Sequence, residues 1–211
     1  MTNKKYILND MYDYNSKQIE TFFNRIDQMT TNWNQLEVVR IDLLGVTHNS
    51  SKIKKLMDSI KSNKDMKDSM VCYMWAAEYG ETVGEHYHFA FFLNYKSWPT
   101  FNVDWNFFSK FKEYTERLWG GSFPKLITDD DERVKNMTRI GIGKWNTNDL
   151  NKTNDVVYAV GYLFKTEHAI TSDNQKHNVL SARKIGISQV KLRQRKPRGR
   201  PRKASVLSSS Q

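Results

Sequence analysis

The sequence predicts an α+β domain in which a central antiparallel β-sheet is flanked by α-helices, followed by a disordered basic C-terminal tail. Three observations support this prediction. Short β-branched and aromatic stretches alternate with amphipathic stretches of helical period. Two of the strand-like stretches are separated by only a few residues, which is typical of an antiparallel hairpin. The excess positive charge lies at the C-terminal end. Such a chain order favours a sheet with its helices on one side.

The first half of the predicted domain, which spans residues 15–170, follows a polar segment, 1–14, that we expect to be flexible. Residues 16–29 carry apolar side chains three or four positions apart, so they predict a helix. Residues 36–46 are β-branched and apolar, and they predict a strand. Residues 50–62 predict an amphipathic helix, because serines stand at its start as capping residues.

The second half of the domain begins with two strand-like stretches, 70–80 and 85–94, which predict a β-hairpin because a short glycine-containing segment joins them. Residues 103–120 have aromatic side chains in helical register and end at glycine, so they predict a helix. Residues 137–146 predict a strand despite their glycines. Residues 153–168 begin with good capping residues and predict the last helix.

The composition is that of a globular body with a charged arm. The 211 residues are 38% hydrophobic and 13% aromatic, enough to bury a core, and no apolar run approaches the roughly 20 residues of a membrane helix. The single cysteine, Cys72, excludes an internal disulfide and a cysteine-rich zinc site. We therefore expect a soluble intracellular protein that does not bind a membrane.

The net charge of +10 comes entirely from the end of the chain. Ten of the 33 basic residues lie from Arg183 onward, and no acidic residue follows Asp173, so residues 1–182 hold 23 basic and 23 acidic residues. Residues 171–211 are too polar to pack. They predict a disordered arm that binds nucleic acid.

Two of the five histidines, His86 and His88, lie two positions apart in the apolar stretch "EHYHFAFFLN". Residues i and i+2 of a strand share a face, so both imidazoles would point the same way. The predicted hairpin turn brings Glu78 opposite His86, where cross-strand partners lie about 5 Å apart. Other carboxylates could take its place: Glu85, Asp42 and Glu81.

A site of two imidazoles and one carboxylate leaves coordination positions open for water or substrate. This mixed nitrogen and oxygen set suits Mg²⁺ or Mn²⁺ in a reaction on phosphate, and Zn²⁺ is an alternative. The simpler interpretation is a pair of half-buried histidines with satisfied hydrogen bonds.

The stretch "YAVGYLFK", residues 158–165, places Tyr158, Tyr162 and Lys165 within about 60° of one another on a helix. Two phenols and an ammonium on one face form a candidate nucleophile site, in which the cation favours the phenolate and neutralises phosphate charge. The alternative is an amphipathic helix whose tyrosines pack and whose lysine is solvated.

The two features together, "HYH" (86–88) followed by "YLFK" (162–165), resemble the HUH endonuclease superfamily. The additional Tyr158 is similar to the two-tyrosine rolling-circle replication initiators, in particular those of inovirus-like phages and prophages. The strand "VVRIDLL" (38–44) stands where those proteins have their first, structural motif. The resemblance covers roughly residues 36–168 and implies an HUH/RRM-like antiparallel sheet with the histidines on a middle strand.

The resemblance implies a role for each residue of these motifs. His86 and His88, with Glu78, bind the divalent metal, Mg²⁺ or Mn²⁺. Tyr162 or Tyr158 attacks a single-stranded origin DNA and forms a 5′-phosphotyrosine, freeing a 3′-OH, while the second tyrosine makes the second cut. No nucleotide cofactor is needed. A host helicase and polymerase are implied partners, in the cytoplasm of a bacterial host at its nucleoid.

Two other readings of the resemblance remain open. A transposase or a conjugative relaxase of the same superfamily is one. Relaxases usually carry their tyrosine near the N-terminus, where this chain has Tyr6, Tyr12 and Tyr14. The other is a DNA-binding regulator that keeps the fold without nicking.

The tail segment "RKPRGRPRK" (195–203) resembles an AT-hook. Prolines keep its backbone extended, and Gly199 lets it sit deep in a groove. Arg198 and Arg200 would lie in the narrow minor groove of A·T-rich duplex DNA, where the negative potential is strongest. The residues expected to bind DNA are Lys196, Arg198, Gly199, Arg200, Pro201 and Arg202. The alternative is an unspecific basic tail that binds any polyanion.

Overall fold

The structure is a computed structural model that describes residues 6–47, 49–80, 84–94, 103–128, 141–166 and 185–192. The AT-hook-like segment lies outside these ranges, as do Glu81 and most of the tail. No helix in the described ranges combines the length and the apolar character that a membrane crossing requires.

The described strands form one six-stranded antiparallel sheet. Five strands follow the order β4-β1-β3-β2-β6, and β5 pairs with the other half of the β1 edge that β4 occupies. The strands are β1 (Gln35–Leu44), β2 (Met70–Gly80), β3 (Gly84–Leu93), β4 (Phe123–Ile127), β5 (Gly143–Asn146) and β6 (Ile185–Ile187). The antiparallel α+β class predicted from the sequence is confirmed.

Five α-helices accompany the sheet: α1 (Ser16–Asn32), α2 (Ser50–Ser62), α3 (Lys64–Ser69), α4 (Val103–Trp119) and α5 (Leu150–Gly161). A 3₁₀ turn, Tyr162–Phe164, follows α5 directly. Asparagine or aspartate side chains cap four of the helices by accepting first-turn N–H bonds, which satisfies donors that lack an intrahelical partner. The capping residues are Asn15, Asn49, Asn63 and Asp149.

Both faces of the sheet are covered by helices, so the expectation of helices on one side is wrong. One face packs on α2 and α4 through odd-numbered residues of β1 and β3 such as Ile41 and Phe89. The other packs on α1 and α5 through even-numbered residues such as Val38 and Phe92. The run Phe89–Leu93 is buried at every position, as expected for a strand covered on both faces.

Some predicted boundaries also change. The last helix begins at Leu150 rather than 153 and ends at Gly161, far short of 168. Within the predicted strand 137–146, the described strand residues are Gly143–Asn146, while 137–140 lie outside the described ranges. The sequence patterns missed α3 and β4, because both are short and carry no clear period.

Residues 185–192, assigned by the sequence to the tail, belong to the domain. They pair with β2 along its outer edge, and the Arg25 and Trp33 side chains donate to the Ser188 and Lys191 carbonyls at 3.0 Å each. Residues 6–14, expected to be flexible, also lie against the domain, where Tyr6 is buried and donates to Asp27.

Candidate active site

The candidate site lies on the α1 and α5 face of the sheet, at the hairpin end of β2 and β3. Glu78 on β2 pairs directly with His86 on β3, as the hairpin spacing predicts, and His88 pairs with Ala76. All three polar side chains are buried. Their apolar strand neighbours, Ala90 and Phe92, continue the same face into the core.

The three side chains converge on one point. The Oε2 oxygen of Glu78 lies 3.2 Å from Nε2 of His88 and 3.6 Å from Nε2 of His86. One ligand atom from each residue lies within 4.8 Å of the others, and no other such cluster occurs in the described part of the chain. A cation about 2.1 Å from each ligand separates them by about 3.0 Å in octahedral and 3.4 Å in tetrahedral geometry. The observed spacings therefore fit a divalent metal.

The remaining ring nitrogens explain how the imidazoles are oriented. Nδ1 of His86 lies 2.9 Å from the Gly84 carbonyl, and Nδ1 of His88 lies 2.6 Å from Oδ1 of Asp42 on β1. Both partners are acceptors, so each Nδ1 carries the proton and each Nε2 keeps its lone pair for a metal. Such outer acceptors are the usual companions of metal-bound histidines.

Protonation favours the same state. Burial, partly opposed by the Asp42 carboxylate, lowers the pKa of His88 below its usual value. The ring is therefore neutral at physiological pH, the form that binds metal. Asp42, considered from the sequence as a ligand, instead holds His88. Glu85 pairs with Tyr79, which puts it on the opposite sheet face, so it is not a ligand.

Tyr162 lies directly beside this group. Its hydroxyl donates to Oε2 of Glu78 at 3.4 Å, and its ring meets the His88 ring edge-on at 5.5 Å between centroids. Nζ of Lys165 lies 2.7 Å from the Tyr162 hydroxyl and 3.6 Å from Oε1 of Glu78. The phenol therefore stands between a metal-binding carboxylate and a buried ammonium.

The backbone after α5 differs from the continuous helix expected from the sequence. Tyr162 sits in the 3₁₀ turn, and Lys165 is extended and forms a β-bridge with Tyr14. The turn is held against the sheet because Phe164 stacks on Phe22 of α1 at 4.8 Å. Lys165 consequently reaches Tyr162 from outside the helix rather than along its face.

Tyr158 lies one helical turn earlier, on α5, and is half-buried. Within the described ranges it makes no hydrogen bond or ring contact with the Glu78, His86 and His88 group. It lies close enough to Tyr14 to raise the pKa of that phenol, although burial is the main cause of the rise to about 12. The structure thus brings Tyr162 into the site and leaves Tyr158 at its margin.

Two site residues were missed by the sequence reasoning. Arg40, on β1, places its guanidinium 5.2 Å from the centre of the Tyr162 ring and Nε 3.5 Å from Oδ1 of Asp42. Tyr12 meets Tyr162 edge-on at 5.6 Å, and Nζ of Lys165 lies 5.3 Å from the centre of the Tyr12 ring. The pattern "VVRIDLL" does offer one signal for the first, since Arg40 shares the face of Asp42 in a strand that is otherwise apolar.

Comparison with known proteins gives one match. A family model that describes replication-associated proteins of the ORF2 type matches residues 30–167, well over half of the chain. The matched segment contains Arg40, Asp42, Tyr162 and Lys165 as well as the three candidate metal ligands. No curated protein and no solved structure matches the chain.

Proposed function

Because this chain belongs to the ORF2-type family of replication-associated proteins, we propose that it initiates rolling-circle replication as a metal-dependent, site-specific endonuclease and strand transferase of single-stranded DNA. The observation that carries the proposal is the Tyr162 hydroxyl, 3.4 Å from the Glu78 carboxylate of a buried Glu/His/His cluster and 2.7 Å from Nζ of Lys165. A phenol, a cation and a divalent-metal site are together suited to phosphoryl transfer.

Glu78, His86 and His88 would hold the metal, Mg²⁺ or Mn²⁺. When bound, the ion acts as a Lewis acid that polarises the scissile phosphodiester. The buried carboxylate and the neutral imidazoles supply the oxygen and nitrogen ligands, and their orientation depends on Asp42 and the Gly84 carbonyl.

Tyr162 is the nucleophile in this proposal. Its phenolic oxygen forms the new bond to phosphorus, the bond from phosphorus to the 3′ oxygen breaks, and the phenolic proton is released to solvent. The freed 3′-OH primes synthesis, and the 5′-phosphotyrosine retains the energy for later joining. Lys165 stabilises the negative charge on the phenolic oxygen. Tyr158 is the second tyrosine, for which its place one turn earlier on α5 requires movement towards the metal ligands.

One alternative within the superfamily draws on Tyr12, an N-terminal tyrosine of the kind that relaxases use. The contacts of Tyr12 favour Tyr162 instead, because Tyr12 offers its ring to Lys165 while Tyr162 offers its hydroxyl. A non-catalytic DNA-binding regulator is the alternative of a different class, and it is tested by the same experiment.

The test is covalent capture of DNA. The protein is incubated with a randomised pool of 5′- or 3′-labelled single strands and Mn²⁺ or Mg²⁺, and adducts are isolated under denaturing conditions and sequenced. We expect a metal-dependent adduct that carries the DNA 5′ phosphate. Tyr162→Phe should abolish first-round adduct formation, whereas Tyr158→Phe should allow the first cut and block strand transfer.

Two controls make the result specific. Tyr73→Phe is the matched control, since Tyr73 lies on the opposite sheet face and packs against the α2 and α4 cluster. His86→Ala should abolish cleavage while the protein stays folded. Intact DNA binding with no adduct from the wild-type protein would favour the regulator, and an adduct that persists in the double Tyr158 and Tyr162 variant would refute the nucleophile assignment.

A further inference from the structure

Arg40 is a buried cation for which the chemistry above has no use. It lies at the middle of the sheet, where β1 pairs with β3 at Ala90 and with β4 at Ile127. Its side chain is only 12% exposed. It shares its strand face with Asp42, so it points towards the site from within the sheet.

The hydrogen bonding of this guanidinium is incomplete. Nε is buried and has no hydrogen-bond acceptor among the described residues. The Asp42 oxygen at 3.5 Å is beyond normal hydrogen-bond length and already accepts from His88 at 2.6 Å. Guanidinium offers five N–H donors, and burying such donors without acceptors is costly. A cation kept in this state fits a site whose acceptors arrive with a ligand.

The neighbours of Arg40 define which ligand this is. The guanidinium carbon lies 5.2 Å from the centre of the Tyr162 ring. A phosphorus atom placed for attack stands about 3–3.5 Å from the phenolic oxygen. The same phosphate therefore lies within reach of the guanidinium, whose planar fork matches a pair of phosphate oxygens.

Charge supports an oxyanion at this position. Among the site residues, Asp42 and Glu78 carry two negative charges, and Arg40 and Lys165 carry two positive ones. A bound divalent metal would leave the site with an excess of two positive charges. A phosphodiester under attack by a phenolate carries two negative charges, so it balances that excess.

We propose that Arg40 is a phosphate-binding residue that grips the non-bridging oxygens of the scissile phosphodiester and holds it against Tyr162. The inference rests on the proposed function for the reaction but concerns a separate contact. It makes Arg40 a group that touches the substrate, rather than one that acts only through Asp42 on the orientation of His88.

Three measurements on Arg40→Gln and Arg40→Lys separate these roles. The first is the single-turnover rate of adduct formation on a sequence recovered from the pool. The second is the dissociation constant for Mn²⁺. The third is the affinity of the metal-free Tyr162→Phe protein for the same strand in EDTA, which needs no chemistry. Arg117→Gln is the matched control, because Arg117 lies on the exposed side of α4.

We expect Arg40→Gln to lower the adduct rate by about 10²–10³-fold, as for loss of one donor to a developing oxyanion. Arg40→Lys should retain part of the rate, since it keeps the charge and loses the fork. The Mn²⁺ affinity should change less than about threefold, far below the 10–100-fold expected for a damaged outer shell. Metal-free strand binding should weaken in both variants and stay unchanged in Arg117→Gln.

A methylphosphonate at the scissile linkage supplies a second signature, because it removes the charge that Arg40 would contact. It should slow the wild-type protein much more than Arg40→Gln. Equal slowing, an unchanged rate, or a fall in Mn²⁺ affinity that parallels the fall in rate would each overturn the inference. Absence of any wild-type adduct would instead refute the proposed reaction, and metal-free binding would still decide whether Arg40 holds phosphate.

Discussion

The hydrogen bond from His88 to Asp42 makes a quantitative prediction about metal affinity. Oδ1 of Asp42 lies 2.6 Å from Nδ1 of His88, and the carboxylate is almost completely buried. Asp42→Asn keeps the volume and one carbonyl acceptor. It removes the charge, so a charge-assisted hydrogen bond becomes a neutral one of roughly half the strength.

The size of the effect follows from the position of Asp42 outside the ligand sphere. Loss of such a partner typically costs 10–100-fold in metal affinity. That range corresponds to about 1.4–2.7 kcal/mol at 25 °C. The Gly84 carbonyl still holds His86, and Glu78 is unchanged, so we expect weakened metal binding rather than its loss.

The assay is calorimetric titration with Mn²⁺ at pH 8. Asp42 raises the pKa of His88 against the stronger lowering by burial, so Asp42→Asn should lower that pKa further. At pH 8 the ring is neutral in both proteins, and proton competition does not contribute. Near-UV circular dichroism of the tryptophans, six in the chain, checks that the variant is folded.

Asp58→Asn is the matched control, because it makes the same chemical change on the exposed surface of α2. It should leave the Mn²⁺ dissociation constant unchanged, whereas His88→Ala should abolish tight binding. A dissociation constant for folded Asp42→Asn within twofold of the wild-type value would refute the argument that Asp42 orients a metal ligand.

Three further predictions concern the core and the tail. Gly141→Ala should lower the free energy of unfolding in urea by about 2–3 kcal/mol, because its Cβ would stand 2.0 Å from the Asp155 carbonyl oxygen; Gly121→Ala, with nothing within 4 Å, is the control. Burial raises the pKa of the Cys72 thiol to about 11, so iodoacetamide at pH 8 should alkylate the folded protein roughly 100-fold more slowly than the unfolded chain; comparable rates would contradict this. Deleting residues 193–211 removes seven basic residues and should reduce both duplex affinity and its salt dependence, measured by fluorescence anisotropy; an unchanged salt slope would count against a DNA-binding tail.

Much of the fold follows from local patterns. The helical periods of 16–29 and 50–62 and the hairpin of 70–94 could be predicted because apolar spacing and capping residues act over a few positions. The second helical layer could have been anticipated as well. The unbroken apolar run Phe89–Leu93 indicates a strand buried on both faces, which requires cover on each side.

The edge strand β6 could not be predicted from its own residues. Ile185–Ile187 is too short to show a period, and the strand exists because β2 offers an unpaired edge and Trp75 packs at Gly186. A tertiary partner therefore decides the structure of a segment whose composition resembles the polar tail around it.

By itself, the sequence determined the candidate metal ligands. His86 and His88 share a face because strand side chains alternate, and Glu78 lies opposite because a short hairpin sets its own register. Only the tertiary structure decided that Tyr162 rather than Tyr158 meets them, and that Arg40, Asp42 and Lys165 complete the site. Those contacts join positions up to about 120 residues apart, and they depend on how the turn after α5 packs on the sheet, which no local pattern encodes.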